Sequence, residues 1–343
     1  MMNETMQSII NNQRNRKRKY LLMTGLLAII AFALSVSMLM LGNTIYPMQD
    51  VIAVLLGEKV KGASFAVGSI RLPRMLAGVF AGFAFGVGGY VFQTMLRNPL
   101  ANPNVIGITT GSSATAVFCI VVLHASNTMV SIASVIGGLA TVFVIYFLAK
   151  SASFSIGRLI LIGIGIQAML NAFISYLMVK ANTHDLPTAL RWLSGSLNGA
   201  KLETLWPLIV TVVICIPILL IYSKRLEMLE LGEQAATALG VNPNKTRIVL
   251  IICSVLILAL ATAVTGPIAF VAFLAGPIAK RLVGANFSAL IPAGFVGIIL
   301  VLAADLIGQF AFTARYPVGV ITGIIGAPYL IYLLIRINRK GDI

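Results

Sequence analysis

The chain has 343 residues, 59% apolar and 10% charged, with a mean hydropathy of +0.97, against about 45–50% apolar and about 25% charged in a soluble domain. Ten spans of about 20 residues would occupy about 200 positions, which excludes a separate soluble catalytic domain and leaves any chemistry to the bilayer or to a partner. The net charge of +15 reads, in so apolar a chain, as membrane sidedness and contact with lipid, not as nucleic-acid binding.

Apolar runs between charged, Pro, Gly or Asn breaks predict an all-α, polytopic integral membrane helical bundle. About ten transmembrane helices are expected, at about 20–42, 74–95, 105–123, 128–149, 157–179, 203–223, 246–265, 267–282, 287–308 and 318–336. Residues 1–19 form a basic cytoplasmic N-terminal segment, 20–337 a single transmembrane domain and 338–343 a cytoplasmic tail. The basic run Arg14 to Lys19 ahead of an apolar stretch resembles a signal peptide. That stretch, Tyr20 to Leu41, exceeds a typical h-region and no small-x-small site follows it, so an uncleaved first span is expected. Lys and Arg are retained on the cytoplasmic side of short loops. With both termini cytoplasmic, 17 basic residues fall inside, Lys150 among them, and 8 outside; an odd span number would strand one basic terminus on the wrong face.

Arg71-Leu-Pro-Arg74 precedes the second span. Proline there predicts extended backbone ahead of the helix, with both guanidinium groups facing outside and able to grip carboxylates in bidentate fashion. Gly78, Gly82 and Gly86 then recur every fourth residue, a stripe that lets another helix approach closely, and Gly319 and Gly323 repeat the spacing on the last span.

Gly111-Ser112-Ser113 superficially matches an intramembrane serine protease. That chemistry needs a histidine base within reach, and His124 and His184 fall in outer loops, without metal-ligand spacing. Cys119, Cys215 and Cys253 each sit in an apolar run and read as buried small hydrophobes. No Gly-Lys dipeptide occurs, so the chain is not itself a P-loop ATPase. No catalytic residue, metal site or cofactor is expected.

The longest internal cytoplasmic segment runs from Lys224 to Arg247. Glu233 to Leu239 reads as a short helix closed by Gly240 at C′, with Asn242-Pro243 preventing its continuation. Small residues at Ala235, Ala236 and Ala238 suit a knob that sits in another protein's groove, through which energy could arrive from a partner. Further on, Gly266-Pro267 opens the eighth run and Gly276-Pro277 interrupts it, predicting a kinked or broken helix that either packs or lines a pathway. Asp305, with Gln309 one turn later, is the clear carboxylate at depth; it reads as a structural hydrogen-bonding group or, in an ion-coupled secondary transporter, as a carrier site.

Five stretches carry a resemblance: 71–111, RWLSGSLNG (191–199), LGEQAATALGVN (231–242), GPIAFVAFLAGPIAKRLVG (266–284) and YPVGVITGIIGAPYLIYLL (316–334). Together they resemble the permease subunits of the iron–siderophore/cobalamin (FecCD-type) ABC importer family. The resemblance implies a multi-pass protein of the cytoplasmic (inner) membrane that works by alternating access. Its implied partners are a second permease, identical or merely similar, two cytoplasmic ABC ATPase subunits and an extracytoplasmic siderophore-binding protein. It assigns Arg71 and Arg74 to docking of the binding protein, and Glu233, Gln234, Ala236, Leu239 and Gly240 to ATPase coupling. Asn98, Pro99, Trp192, Gly276, Pro277, Asp305 and Gln309 become pathway or gate candidates, Trp192 on a small outer helix.

The sequence departs from the family pattern at two points. Gly276-Pro277 stands where Pro-His is frequent, which leans toward a siderophore over cobalamin; a cobalamin or haem importer permease of the same family is the alternative. Gln309 stands where an arginine is usual, with Arg315 available from the following loop.

Overall fold

The computed structural model describes residues 2–149, 156–284 and 287–340; Lys150 and tail residues 341–343 lie outside the described residues. Every described element is helical. In chain order these are α1 (Met2–Met40), α2 (Met48–Leu55), α3 (Leu72–Met95), α4 (Ile108–Val121), α5 (Asn127–Ala149), α6 (Ile156–Lys180), α7 (Leu186–Leu193), α8 (Leu202–Glu230), α9 (Glu233–Ala238), α10 (Pro243–Thr265), α11 (Val271–Val283), α12 (Leu290–Phe310) and α13 (Val318–Lys340). A π-helix, Ser64–Arg71, leads without a break into α3, and a 3-10 turn, Pro103–Ile106, precedes α4.

Each expected span has a helix, although by length and composition seven can cross a membrane: α1, α3 with its π-helical lead, α5, α6, α8, α10 and α12. Of the other three, α13 has its apolar part confined to Val318–Leu333, and two are short helices. α4 has 14 residues and α11 has 13, about 20 Å each at 1.5 Å per residue against a hydrocarbon core of about 30 Å. Both are mostly buried among other helices. Irregular backbone at depth persists only where protein or a wet cavity covers it, and here protein covers it: Gly107 before α4 is left-handed (φ 72°), as are Gly266 (φ 70°) and Phe270 (φ 62°) before α11. α1 carries the basic run and the first span in one helix.

α3 is the hub, packed by α8, α10, α11 and α12. The glycine stripe explains how. A Cβ on Gly82 would stand 2.8 Å from the carbonyl oxygen of Gly297 on α12, and one on Gly86 would strike the carbonyl of Ala293. Gly88 meets Leu258 of α10 and Gly89 the carbonyl of Ala272 on α11. The stripe on α13 is only half used: Gly319 abuts the carbonyl of Ser194, whereas a Cβ on Gly323 would meet no neighbouring element within 4 Å among the described residues. Gly111 of α4 faces Gly137 and Thr141 of α5, so the Gly-Ser-Ser triplet is part of a helix crossing. All three cysteines are buried and free, as their apolar settings predict.

The break expected at Gly276-Pro277 lies elsewhere. α11 continues through Pro277, and the chain is irregular before it, at Gly266 to Phe270. Proline cannot donate to the carbonyl four residues back, and here that carbonyl, Phe273 O, accepts from Gln93 Nε2 of α3 at 2.8 Å. Gly276 leaves room for the Gln93 side chain beside it. A borrowed amide thus replaces the missing backbone donor and the helix stays whole.

Candidate functional site

The bundle has two ends, one bearing α9 and the other α7, and the candidate residues divide between them. At the α7 end the backbone at Arg71 is helical (φ −79°, ψ −40°), not extended, because Pro73 occupies the first turn of α3, where its fixed φ suits a helix. The guanidinium groups therefore do not splay outward. Arg71 donates from Nη1 to the carbonyls of Leu39 (3.0 Å) and Met40 (2.7 Å) and from Nη2 to that of Thr44 (2.6 Å). It closes the last turn of α1, whose carbonyls lack intrahelical donors, and stacks over Tyr46.

Arg74 reaches inward. Its Nε and Nη2 donate to Asp305 Oδ2 and Oδ1 at 2.9 and 2.8 Å, and Gln309 Nε2 donates to Oδ2 at 2.6 Å. Asp305 is buried, while the Arg74 side chain retains 18% of its accessibility. Residues assigned to two different roles thus form one cluster, in which a buried carboxylate is matched by a bidentate guanidinium and an amide. Asp305 has the hydrogen-bonding role that its depth suggested. Arg315 is engaged nearby with the Asn43 side chain.

Trp192, on α7, is half-buried and lines a cavity of about 430 Å³ together with Asn127, Ser131, Arg191, Asn198 and Lys201. The loop after α7 is held through its backbone: Ser196 N donates to Thr265 O (2.7 Å), and Gly319 N to Gly195 O (3.1 Å). Gly195, left-handed at φ 68°, lies against the carbonyl of Pro267. RWLSGSLNG is thus the joint at which α7, the α10–α11 link and α13 meet. His124 Nδ1 is 3.2 Å from Asp185 Oδ2 just before α7, so this exposed loop histidine has a carboxylate partner.

At the α9 end, Asn98, Pro99, Gly276 and Pro277 come together. They line a cavity of about 250 Å³ with Thr94 and Lys280 among its other walls. Three residues that motif reading passed over tie this cavity to the end of α8. Arg97, with φ 51°, donates from Nε to Leu229 O at 3.0 Å, and Lys280 Nζ donates to Glu230 Oε1 at 2.7 Å. Arg97, just after α3, and Lys280 of α11 face the same helix end; the detectable signal was a pair of basic residues expected on one side of the membrane.

α9 is capped as expected. Gly240 takes φ 80°, its N–H donates to Thr237 O, and Val241 N donates to Ala236 O, both at 2.9 Å, which is the Schellman pairing that satisfies the last carbonyls of a helix. The helix ends at Ala238, one residue before Leu239. Asn242 does more than end α9: its side chain accepts from Lys245 N at 3.1 Å and so caps α10. Glu233 accepts from Arg247 Nη2 at 2.6 Å. Gln234 and Leu239 are exposed, but Ala236 is fully buried. A direct contact of Ala236 with a partner's groove is therefore corrected: its face of α9 is the one seated on the bundle, and the opposite face is the exposed one.

Comparison with known proteins gives this architecture a context. Residues 26–336 match the model of the FecCD transport family. The ferric enterobactin transport system permease protein of Escherichia coli (strain K12) is 38% identical over 85% of this chain and 89% of its own length. The iron(3+)-hydroxamate import system permease protein of Bacillus subtilis (strain 168) is 31% identical over 96% of this chain and 100% of its own. A chain solved in an inward-facing conformation of a metal-chelate type ABC transporter superposes with a TM-score of 0.81 at 28% identity, over 91% of this chain and 98% of that one. An ordered set of motifs, a glycine-backed helical hub and a match that runs through nearly the whole chain agree: the protein belongs to the FecCD transport family.

Proposed function

We propose that the chain is the permease subunit of an ATP-driven importer that carries a ferric siderophore across the cytoplasmic membrane by alternating access. It crosses ten times, with the short α4 and α11 and the helix α13 completing the set and both termini in the cytoplasm. It pairs with a second permease, takes energy from two cytoplasmic ABC ATPases and receives cargo from an extracytoplasmic binding protein. Family membership and a relative that handles ferric enterobactin favour an iron chelate over cobalamin or haem.

The observation that carries the reading is α9. A six-residue helix is too short to be stable alone, yet this one is capped at its C-terminus, seated through Ala236 and tied through Glu233 to Arg247. It presents Gln234 and Leu239 outward, a rigid tooth for an ATPase groove, and Arg97 and the Lys280–Glu230 pair link its base to the cavity lined by Asn98, Pro99, Gly276 and Pro277. Movement of the ATPases shifts the tooth, and the gate moves with it. At the opposite end, Arg71 and Arg74 belong to the docking face. Asp305 engages Nε and Nη2 of Arg74, so Nη1 is the nitrogen left to meet an acidic side chain of the binding protein. An ion-coupled secondary transporter is the less favoured reading, because the carboxylate at depth is already held by a guanidinium and an amide.

The test is reconstitution. Complexes captured in mild detergent contain the ATPase, a second permease and the binding protein, and vesicles holding them take up radio-iron given as a ferric tris-catecholate only with ATP. Gly240→Pro, which forbids the φ of the cap, abolishes ATP-driven uptake while ATP hydrolysis continues. Uphill uptake by the chain alone would overturn the proposal.

A further inference from the structure

The cavity of about 430 Å³ beside α7 has the charge of an anion site. Arg191 and Lys201 both line it, and among the described residues neither side chain has a hydrogen bond or an ion pair. No carboxylate stands among the described lining residues, and Glu203, two positions after Lys201, does not reach the wall. Asn127 and Thr128, which open α5, line the same space, so the positive end of that helix's dipole adds to the two cations. Asn127 and Asn198 contribute side-chain amides as further donors.

What lies next to the cavity decides which anion it suits. α5 and α8 each pack on α10 and barely touch one another, so α10 floors the space between them. Leu256, Leu260 and Val264 follow at four-residue steps along α10, all half-buried, and Val264 is itself part of the cavity wall. The flanking helices expose apolar residues below the cavity, Ile132 and Ile136 on α5, Val210 and Val213 on α8. Trp206, in the second turn of α8, is 63% exposed, and such a ring settles at the boundary between membrane and water. A soluble anion needs only the polar chamber. A cationic chamber at the membrane boundary that leads into an apolar strip matches the two halves of a lipid.

We propose that this cavity binds the headgroup of an anionic phospholipid of the outer leaflet, with the phosphodiester held by Arg191 and Lys201 and the acyl chains lying against α10 between α5 and α8. Two cations with no acid beside them favour a lipid of net negative charge, such as phosphatidylglycerol. The amine of a zwitterionic lipid finds no carboxylate in the wall. From the import reading above the proposal takes only the orientation of the chain. The bound lipid ties α7 to α5 and α8 at the joint formed by RWLSGSLNG.

Native mass spectrometry of the assembled transporter tests it. The complex, in mild detergent, is offered equal amounts of phosphatidylglycerol and phosphatidylethanolamine with the same acyl chains. Wild-type protein is expected to retain the first at least about fivefold better, and Arg191→Gln made with Lys201→Gln lowers that retention about twenty-fivefold, at about fivefold per cation. Lys59→Gln made with Lys61→Gln, which removes two exposed charges from another outer loop, leaves it unchanged. Equal retention of the two lipids, or full retention by the Arg191 and Lys201 double variant, overturns the proposal. So does displacement of the lipid by millimolar inorganic phosphate, the mark of a soluble-anion site, or by the binding protein, the mark of a protein contact. Should the double variant fail to assemble, Lys201→Gln alone decides, with a loss of about fivefold expected. Asn198→Cys reports the side of the membrane, against a low background because Cys119, Cys215 and Cys253 are buried. Labelling by an impermeant maleimide in right-side-out vesicles is expected, and labelling only after the vesicles are opened overturns the outer-leaflet assignment together with the orientation. An assembly that keeps the lipid and moves no iron supports the site and strikes the import function alone.

Discussion

α3 and α6 have almost the same length, 24 and 25 residues, and both are apolar, yet 72% of the most apolar stretch of the first is buried in the bundle and only 17% of that of the second. The difference lies in what their small and polar residues meet. On α3, Gly82, Gly86 and Gly89 each face a neighbour's carbonyl, and Arg74 and Gln93 each end on an acceptor from another helix. On α6, Gly165 has open space around its missing side chain, and among the described residues the side-chain amides of Gln167 and Asn171 have no hydrogen-bond partner. The same residue types make a rigid hub where they are covered and an uncommitted surface where they are not.

Substitutions can break that contrast. The largest effect belongs to Arg74→Ala, which strands a buried carboxylate; losing one partner of such a pair costs about 3–5 kcal/mol, read as a lower midpoint of thermal aggregation in mild detergent. Asp305→Asn made together with Arg74→Ala recovers much of the loss, because the uncompensated charge is gone. Gly86→Val comes next. Its side chain must push α12 away, at about 3 kcal/mol by analogy with overpacked cores, and the same midpoint falls. Gln93→Leu deprives Phe273 O of its donor, which costs about 1–3 kcal/mol; amide exchange around Pro277 quickens while the rest of α3 stays protected. The smallest is Gly165→Ala on α6, which raises the midpoint slightly, by about 0.5 kcal/mol, since an open helical site gains only reduced freedom of the unfolded chain. A destabilisation at Gly165 as large as that at Gly86 would erase the distinction between the two helices.

Much of this architecture is legible locally. The spacing of Gly78, Gly82 and Gly86 announces a close helix contact, and Gly240 ahead of Asn242-Pro243 announces a cap, because both are decided within a turn or two. What lies opposite is not written there. Gly319 and Gly323 share one spacing, yet only Gly319 meets a neighbour, since the partner comes from a loop more than a hundred residues earlier. Arg74 and Asp305 are 231 positions apart, and the amide that rescues Pro277 comes from Gln93, 180 positions before the carbonyl it serves. Ala236 looked like part of an outward knob because composition does not tell which side of a short helix is seated. Proline rules alone do not foresee that α11 runs unbroken through Pro277, because the donor that serves Phe273 O comes from a neighbour.

The three carbonyls held by Arg71 carry a consequence for biosynthesis. The first hydrophobic segment leaves the ribosome with Tyr46 N as a nearby donor to Met40 O, but the guanidinium that completes its last turn is about thirty residues further on. Until that stretch is threaded, the opening hairpin of the protein has a frayed rim, so insertion of the second segment is also the moment at which the first becomes anchored.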